Sequence, residues 1–154
     1  MARYAEGTKV GVEASEAEIK RALARFGATS IISGDDGDRT FVLFRARDRF
    51  VKFVIPKPAL DDFRQTPTGR SRDTAGAADM QRQELRRRWR ALALLVKAKL
   101  TAIEEGIVTF EDEFLADTVM ENGQRFSEVA QPALAEAYRI GGPPVLRLTD
   151  QRLN

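Results

Sequence analysis

The chain reads as an α+β protein: an N-terminal helix, a three-stranded antiparallel sheet, a long second helix and then small C-terminal helices. Three observations predict this class. Ile19, Ala22, Leu23 and Phe26 recur at helical spacing over residues 16–26. Three short β-rich runs, TSIIS, TFVLFRA and FVKFVIP, then follow with turn residues between them. Finally Leu85, Trp89, Leu92, Val96, Leu100 and Ile103 step by three or four through residues 77–105, a continuous apolar seam on one long helix.

Each element has its own local signals. Ser15 and Glu18 form an S-x-x-E capping box, in which each side chain satisfies an orphaned backbone N–H, so the first helix is expected to open at residue 16. Gly27 stands where a left-handed C-terminal cap belongs. GDDGD predicts a turn after the first strand, and RDR a tight turn between strands at 40–46 and 50–56, the last ended by Pro56. Phe41 and Leu43 point to one side and Val42 and Phe44 to the other, so both sheet faces call for cover. Helices are expected on one, and the C-terminal half or a partner on the other.

Residues 56–76 hold three prolines and two glycines, a long loop. Gly106 ends the second helix. Thr109 and Asp112 make a second box, opening a short helix through FEDEFLAD. ENGQ at 121–124 turns the chain into a helix at 128–140, which tolerates Pro132 only in its first turn. GGPP breaks that helix and the last ten residues read as a tail. The expected division is an irregular arm at 1–14, a core at 15–106 containing the 56–76 loop, and an acidic helical extension at 107–154.

Composition excludes much chemistry. With 154 residues and 43% apolar content, the chain suits one domain with a real core. It has no cysteine, hence no disulfide, thiolate nucleophile or cysteine-bound metal, and no histidine, hence no imidazole base or ligand. No apolar run approaches membrane-spanning length and the N-terminus shows no secretory h-region, so a cytoplasmic setting is expected. Charge is uneven: residues 1–103 carry 21 Lys and Arg against 13 Asp and Glu, whereas 104–154 carry 4 against 10. That asymmetry points either to a polyanion partner for the front or to one half neutralising the other.

The α-β-β-β-α order over residues 15–105 resembles the topology of double-stranded-RNA-binding domains. Their basic motif at the start of the second helix is missing here, and phage annealing proteins also use a β-β-β-α core. A further resemblance rests on RYAEGT (3–8), EIKRALARFGAT (18–29), RRRWRALALLVKAKLTAIEEGIVTFEDEFLA (86–116) and ENGQRF (121–126). These pieces resemble small proteins of tailed phages and prophages, a family without a settled function. The likeness runs over most of the chain. It implies a mobile-element origin and a bacterial cytoplasm, and it supplies no catalytic residues.

Two groups of cations are candidates for phosphate contacts. On the long helix, at about 100° per residue, Arg82, Arg86, Arg90 and Lys97 fall on one stripe beside the apolar seam. Arg88 and Lys99 flank the seam's other side and Arg87 points away, while Trp89 belongs to the core. Around the second strand turn stand Arg45, Arg47, Arg49 and Lys52, and a basic hairpin beside a basic helix can form a phosphate-binding groove. Arg64, Arg70 and Arg72 of the long loop could close over it. The structural alternative is a solvated helix face whose arginine stems cover the core edge.

Other motifs are weaker. Glu113 and Asp117 could share a helix face as paired carboxylates, but no D-x-D or companion lysine motif supports a magnesium nuclease, and acids at a helix start have a structural use. GDDGDRT lacks the spacing of a calcium loop and PTGRS lacks the P-loop lysine. The expected function is therefore non-catalytic nucleic-acid binding in a phage or mobile element, in recombination, replication or regulation, with DNA ahead of RNA. The alternatives are a protein-binding module or inhibitor of a host defence or host enzyme acting through the acidic C-terminal half, and a homo-oligomer joined along the long apolar seam. No cofactor, metal or membrane partner is expected.

Overall fold

A computed structural model describes residues 9–145. Its elements are α1 (Val12–Phe26), β1 (Thr29–Asp36), β2 (Arg39–Ala46), β3 (Arg49–Pro56), α2 (Thr74–Glu104), α3 (Phe110–Glu113) and α4 (Phe126–Ile140), with short 3-10 turns at Leu60–Phe63 and Leu115–Asp117. The α+β class and the element order are those expected. The strands form one antiparallel sheet in the order β1-β2-β3. Residues 1–8 of the expected arm and the tail from 146 lie outside the described residues.

Strands β2 and β3 bury one face of the sheet, while no residue of β1 is fully buried. Val42 and Phe44 of β2 and Val51, Phe53 and Ile55 of β3 face Ile19 and Leu23 of α1 and the α2 seam from Trp89 to Ile103 in one core. The segment after α2 joins the same core: Phe110 and Phe114 are fully buried, and Phe114 stands edge-on to Phe44 with ring centroids 5.8 Å apart. Such aromatic pairs add about 0.5–1.5 kcal/mol to the area they bury. The cross-strand rows of the opposite face run Gly34–Phe41–Val54, Ile32–Leu43–Lys52 and Arg45–Phe50. Arg39, on that side, meets Glu128 of α4 at 3.8 Å.

Local differences have physical reasons. Helix α1 starts at Val12, not at 16, with Gly11 as its N-cap and no side-chain cap bond. Ser15 is fully buried inside the helix, and Glu18 is drawn to other partners described below, so the capping box does not form. Strand β1 runs on through Gly34 to Asp36, and only Gly37 and Asp38 turn the chain. The Phe41 ring lies over Gly34, where an added Cβ would come within 2.6 Å of it. Covering a strand glycine with an aromatic ring repairs the missing side chain.

Helix α2 begins at Thr74, where the Asp73 carboxylate accepts from the Gly76 N–H at 2.7 Å. The long loop before it is tied to itself: Arg72 donates to the carbonyls of Phe63 at 3.2 Å and Gln65 at 2.8 Å, and Arg64 to Thr74 Oγ1 at 3.1 Å. Helix α4 starts at Phe126, two residues early, with Arg125 as its N-cap and the Glu128 carboxylate accepting from the Arg125 backbone N–H at 2.9 Å. Pro132 therefore lies in the second turn, not the first, and cannot donate to the Glu128 carbonyl. The helix tolerates this loss with Pro132 facing solvent.

Candidate nucleic-acid interface

Strands β2 and β3 pair without a slip from Arg39–Pro56 to Ala46–Arg49, leaving Arg47 and Asp48 as a two-residue turn. Both take positive φ, 46° and 61°, the signature of a type I′ hairpin. Asn-Gly suits such a turn best; an arginine there costs about 1–2 kcal/mol of backbone strain. Arg47 recovers part of this through its guanidinium, which sits 5.6 Å from the Phe26 ring centroid and 5.5 Å from that of Phe110. The side chain nevertheless stays exposed.

Strand alternation divides the hairpin cations between two faces. Arg45 and Lys52 lie on the outer face, where Arg45 is 5.8 Å from the Phe50 centroid and the Lys52 ammonium 4.6 Å from that of Phe41. Arg49 pairs in register with buried Ala46, so it and Arg47 belong to the helix side of the tip. Arg45 alone of the four meets a carboxylate among the described residues, Asp48 at 3.2 Å, and that carboxylate is 96% exposed.

Helix α2 treats its cations differently. Arg82 is paired with Asp79, and Arg86 donates to Gln83 Oε1 at 3.3 Å. Arg90 and Lys97 both reach across to Glu18 on α1, one carboxylate bridging two cations. The Lys97 hydrogen bond, aided by Arg90, holds the Glu18 carboxyl below the usual range against the opposing pull of burial. Arg87, directed away from the apolar seam, is not left to solvent. It folds back on Glu84 through two hydrogen bonds of 2.9 and 2.6 Å. Arg88 shares Glu84 at 3.1 Å and donates to the Pro56 carbonyl. These contacts, Arg87 foremost, lower the Glu84 pKa to about 2 although its burial works the other way.

The eight cations named from the sequence thus do not form one groove. The hairpin tip packs by Phe26 and Phe110, whereas the first half of α2 lies by Pro56, at the other end of β3. Eight residues of strand put about 23 Å between those ends. The loop arginines follow the same division: Arg64 and Arg72 serve the loop itself, and Arg70 is exposed. Two further cations went unnoticed. Arg21 and Arg25, exposed on α1, line an open groove against Lys97 and Glu104 of α2. Their four-residue spacing was the available signal, since it places both on one helix face.

The acidic segment is engaged with the core. Glu113 Oε1 meets Lys99 Nζ at 2.5 Å, and Asp117 meets Arg125 at 3.2 Å. Burial raises the Asp117 carboxyl above its ordinary value, opposed by Arg125 and Lys99. No group of three or more acidic residues among the described residues is placed to hold a metal ion. No helix among them is long and apolar enough to cross a membrane. No family model, no curated protein and no solved structure matches the chain.

Proposed function

We propose that this protein binds nucleic acid without catalysis, with DNA ahead of RNA, in the recombination, replication or regulation of a phage or mobile element. The β2–β3 hairpin makes the first contact. The observation that carries this reading is Arg47, held exposed at φ 46° in a turn that other residues would occupy at lower cost. Backbone strain retained at a surface position points to a use for the side chain. Arg49 shares the face of Arg47 and Arg45 and Lys52 lie on the other, and among the described residues Asp48 is the carboxylate that meets them. Phosphate contact is the chemistry that exposed, weakly opposed arginines perform best.

The test is oligonucleotide binding across a salt series. If six cations meet duplex phosphates, log K falls against log salt with a slope of about −5. A flat dependence, or no binding at low salt, removes the reading. The second reading, a protein-binding module using the C-terminal half, has its own observation. Leu134, Tyr138, Ile140 and Val145 are exposed around the end of α4, with Tyr138 87% accessible. Clustered exposed apolar groups mark protein contacts. A pull-down from a bacterial lysate that is lost in a Tyr138→Ser variant, with no oligonucleotide binding, would favour it.

A further inference from the structure

Helices α1 and α2 meet through Ile19 and Leu23 on one side and Ala93, Val96 and Leu100 on the other, and above this contact they leave an open groove of about 450 Å³. Arg21 and Arg25 stand on one wall, Lys97 and Glu104 on the other, with Ala22 and Leu100 on the floor. Arg21 and Arg25 are one turn apart, about 6 Å along the axis. Neither has an ion-pair partner among the described residues. Arg25 has a local use, since a cation complements the C-terminal end of α1. Arg21, a turn earlier, has none.

An anion already occupies this groove. The Glu18 carboxylate lines it and is gripped by both Lys97 and Arg90. Lys97 remains 42% exposed, on a flexible stem with three donors, so it can turn to a second anion. The groove therefore combines two arginines without carboxylate partners, a lysine shared with an internal carboxylate, and access from solvent. Glu104, at its far end, is the one acid left to repel a ligand there.

We propose that this groove takes backbone phosphates of the bound nucleic acid, held by Arg21, Arg25 and Lys97, and that Glu18 competes with those phosphates for Lys97. The inference rests on the nucleic-acid reading and adds a second contact to it, on the helix layer. Glu18 then acts as a built-in phosphate mimic. It stabilises the fold when the groove is empty and sets a threshold for ligand entry.

The experiment uses the full chain, a fluorescein-labelled single-stranded oligonucleotide and its duplex, and a salt series. Arg21→Ala/Arg25→Ala is expected to weaken binding about 5- to 30-fold and to flatten the log K–log salt slope by about 1.5–2, with melting lowered only slightly through the lost Arg25 charge at the α1 C-terminus. Glu18→Gln is expected to tighten binding about three- to tenfold while lowering the melting temperature, because it frees two cations and removes a competitor. Opposite signs for affinity and stability are not what a merely structural carboxylate produces. If the double arginine variant binds as the wild type does while reversal of the hairpin cations abolishes binding, the groove is overturned and the nucleic-acid reading stands. Weaker binding by Glu18→Gln, in step with its lost stability, overturns the competition. No binding by the wild type at low salt overturns both readings together.

Discussion

The β2–β3 hairpin and helix α2 are both rich in cations, and they spend them in opposite ways. In α2, Arg82, Arg87, Arg88, Arg90, Lys97 and Lys99 each meet a carboxylate, and three acids suffice besides Asp79: Glu84 and Glu18 serve two cations each and Glu113 one. In the hairpin only Arg45 does so, with a carboxylate that water reaches almost freely. The difference comes from geometry. A helix brings residues three and four apart together, and its packing against α1 adds a second source of partners. A strand sends neighbours to opposite faces and a two-residue turn projects its side chains outward. Density of arginine along a sequence is thus a poor measure of what a surface offers a phosphate.

The contrast can be broken most forcefully at Trp89. It is 3% exposed although Arg86, Arg87, Arg88 and Arg90 flank it in sequence, and its place is the core. Trp89→Ala should cost about 3–5 kcal/mol in denaturant unfolding. Trp89→Phe should cost far less, since the indole N–H has no hydrogen-bond partner among the described residues. If Trp89→Ala instead left stability intact and removed only binding, α2 would be the interface and the comparison would invert.

Next in size is Glu84. Its folded pKa of about 2 lies below the ordinary 4.5, so its contribution is fully present above 4.5 and is lost as pH falls through about 2. The difference corresponds to about 3 kcal/mol at most. Glu84→Gln should therefore lower stability near neutral pH by about 2 kcal/mol and flatten the acid limb of stability between these two values. An unchanged acid limb in equilibrium unfolding would mean that Arg87 and Arg88 are not held by this carboxylate.

Binding sharpens the contrast further. Reversing Arg45, Arg47 and Arg49 to glutamate should weaken oligonucleotide binding by about 100-fold or more, far beyond the loss of about 1–3 kcal/mol in stability from the ring contacts and the Asp48 pair. Reversing Arg82 and Arg86 should weaken it less than about fivefold, because those side chains sit at the far end of β3. Equal losses from the two variants would erase the distinction between hairpin and helix. The smallest effect is expected at Arg82→Ala, within about 0.5 kcal/mol by thermal melting, because its pair with Asp79 is solvent-exposed.

Much of this was legible in the residues. The seam from Leu85 to Ile103, the left-handed cap at Gly27 and the strand at TFVLFRA are written in local periodicity and turn chemistry, and the structure repeats them. Ser15 misled because S-x-x-E is a pattern of two polar residues, and nothing local shows that one is buried and the other faces a distant helix. Pro132 misled for a related reason: α4 opens where the Glu128 carboxylate takes the Arg125 backbone N–H, and arginine is not a usual N-cap residue. The α2 cations are legible as a stripe in helical spacing, but the Glu18 carboxylate that meets two of them lies on another helix.

The amino-acid order alone determined the succession of helix, three strands and long helix, and it determined that Trp89 is core. Burial period is a local property, repeated every 3.6 or every two residues, so any stretch of chain carries it. Only the tertiary structure decided what each charge does. Glu18 is 72 residues from Arg90 and 79 from Lys97, and the contact exists because α1 and α2 pack side by side. Ion pairs form wherever backbones bring opposite charges within about 4 Å, and that proximity is a property of the packed molecule, not of any segment of it.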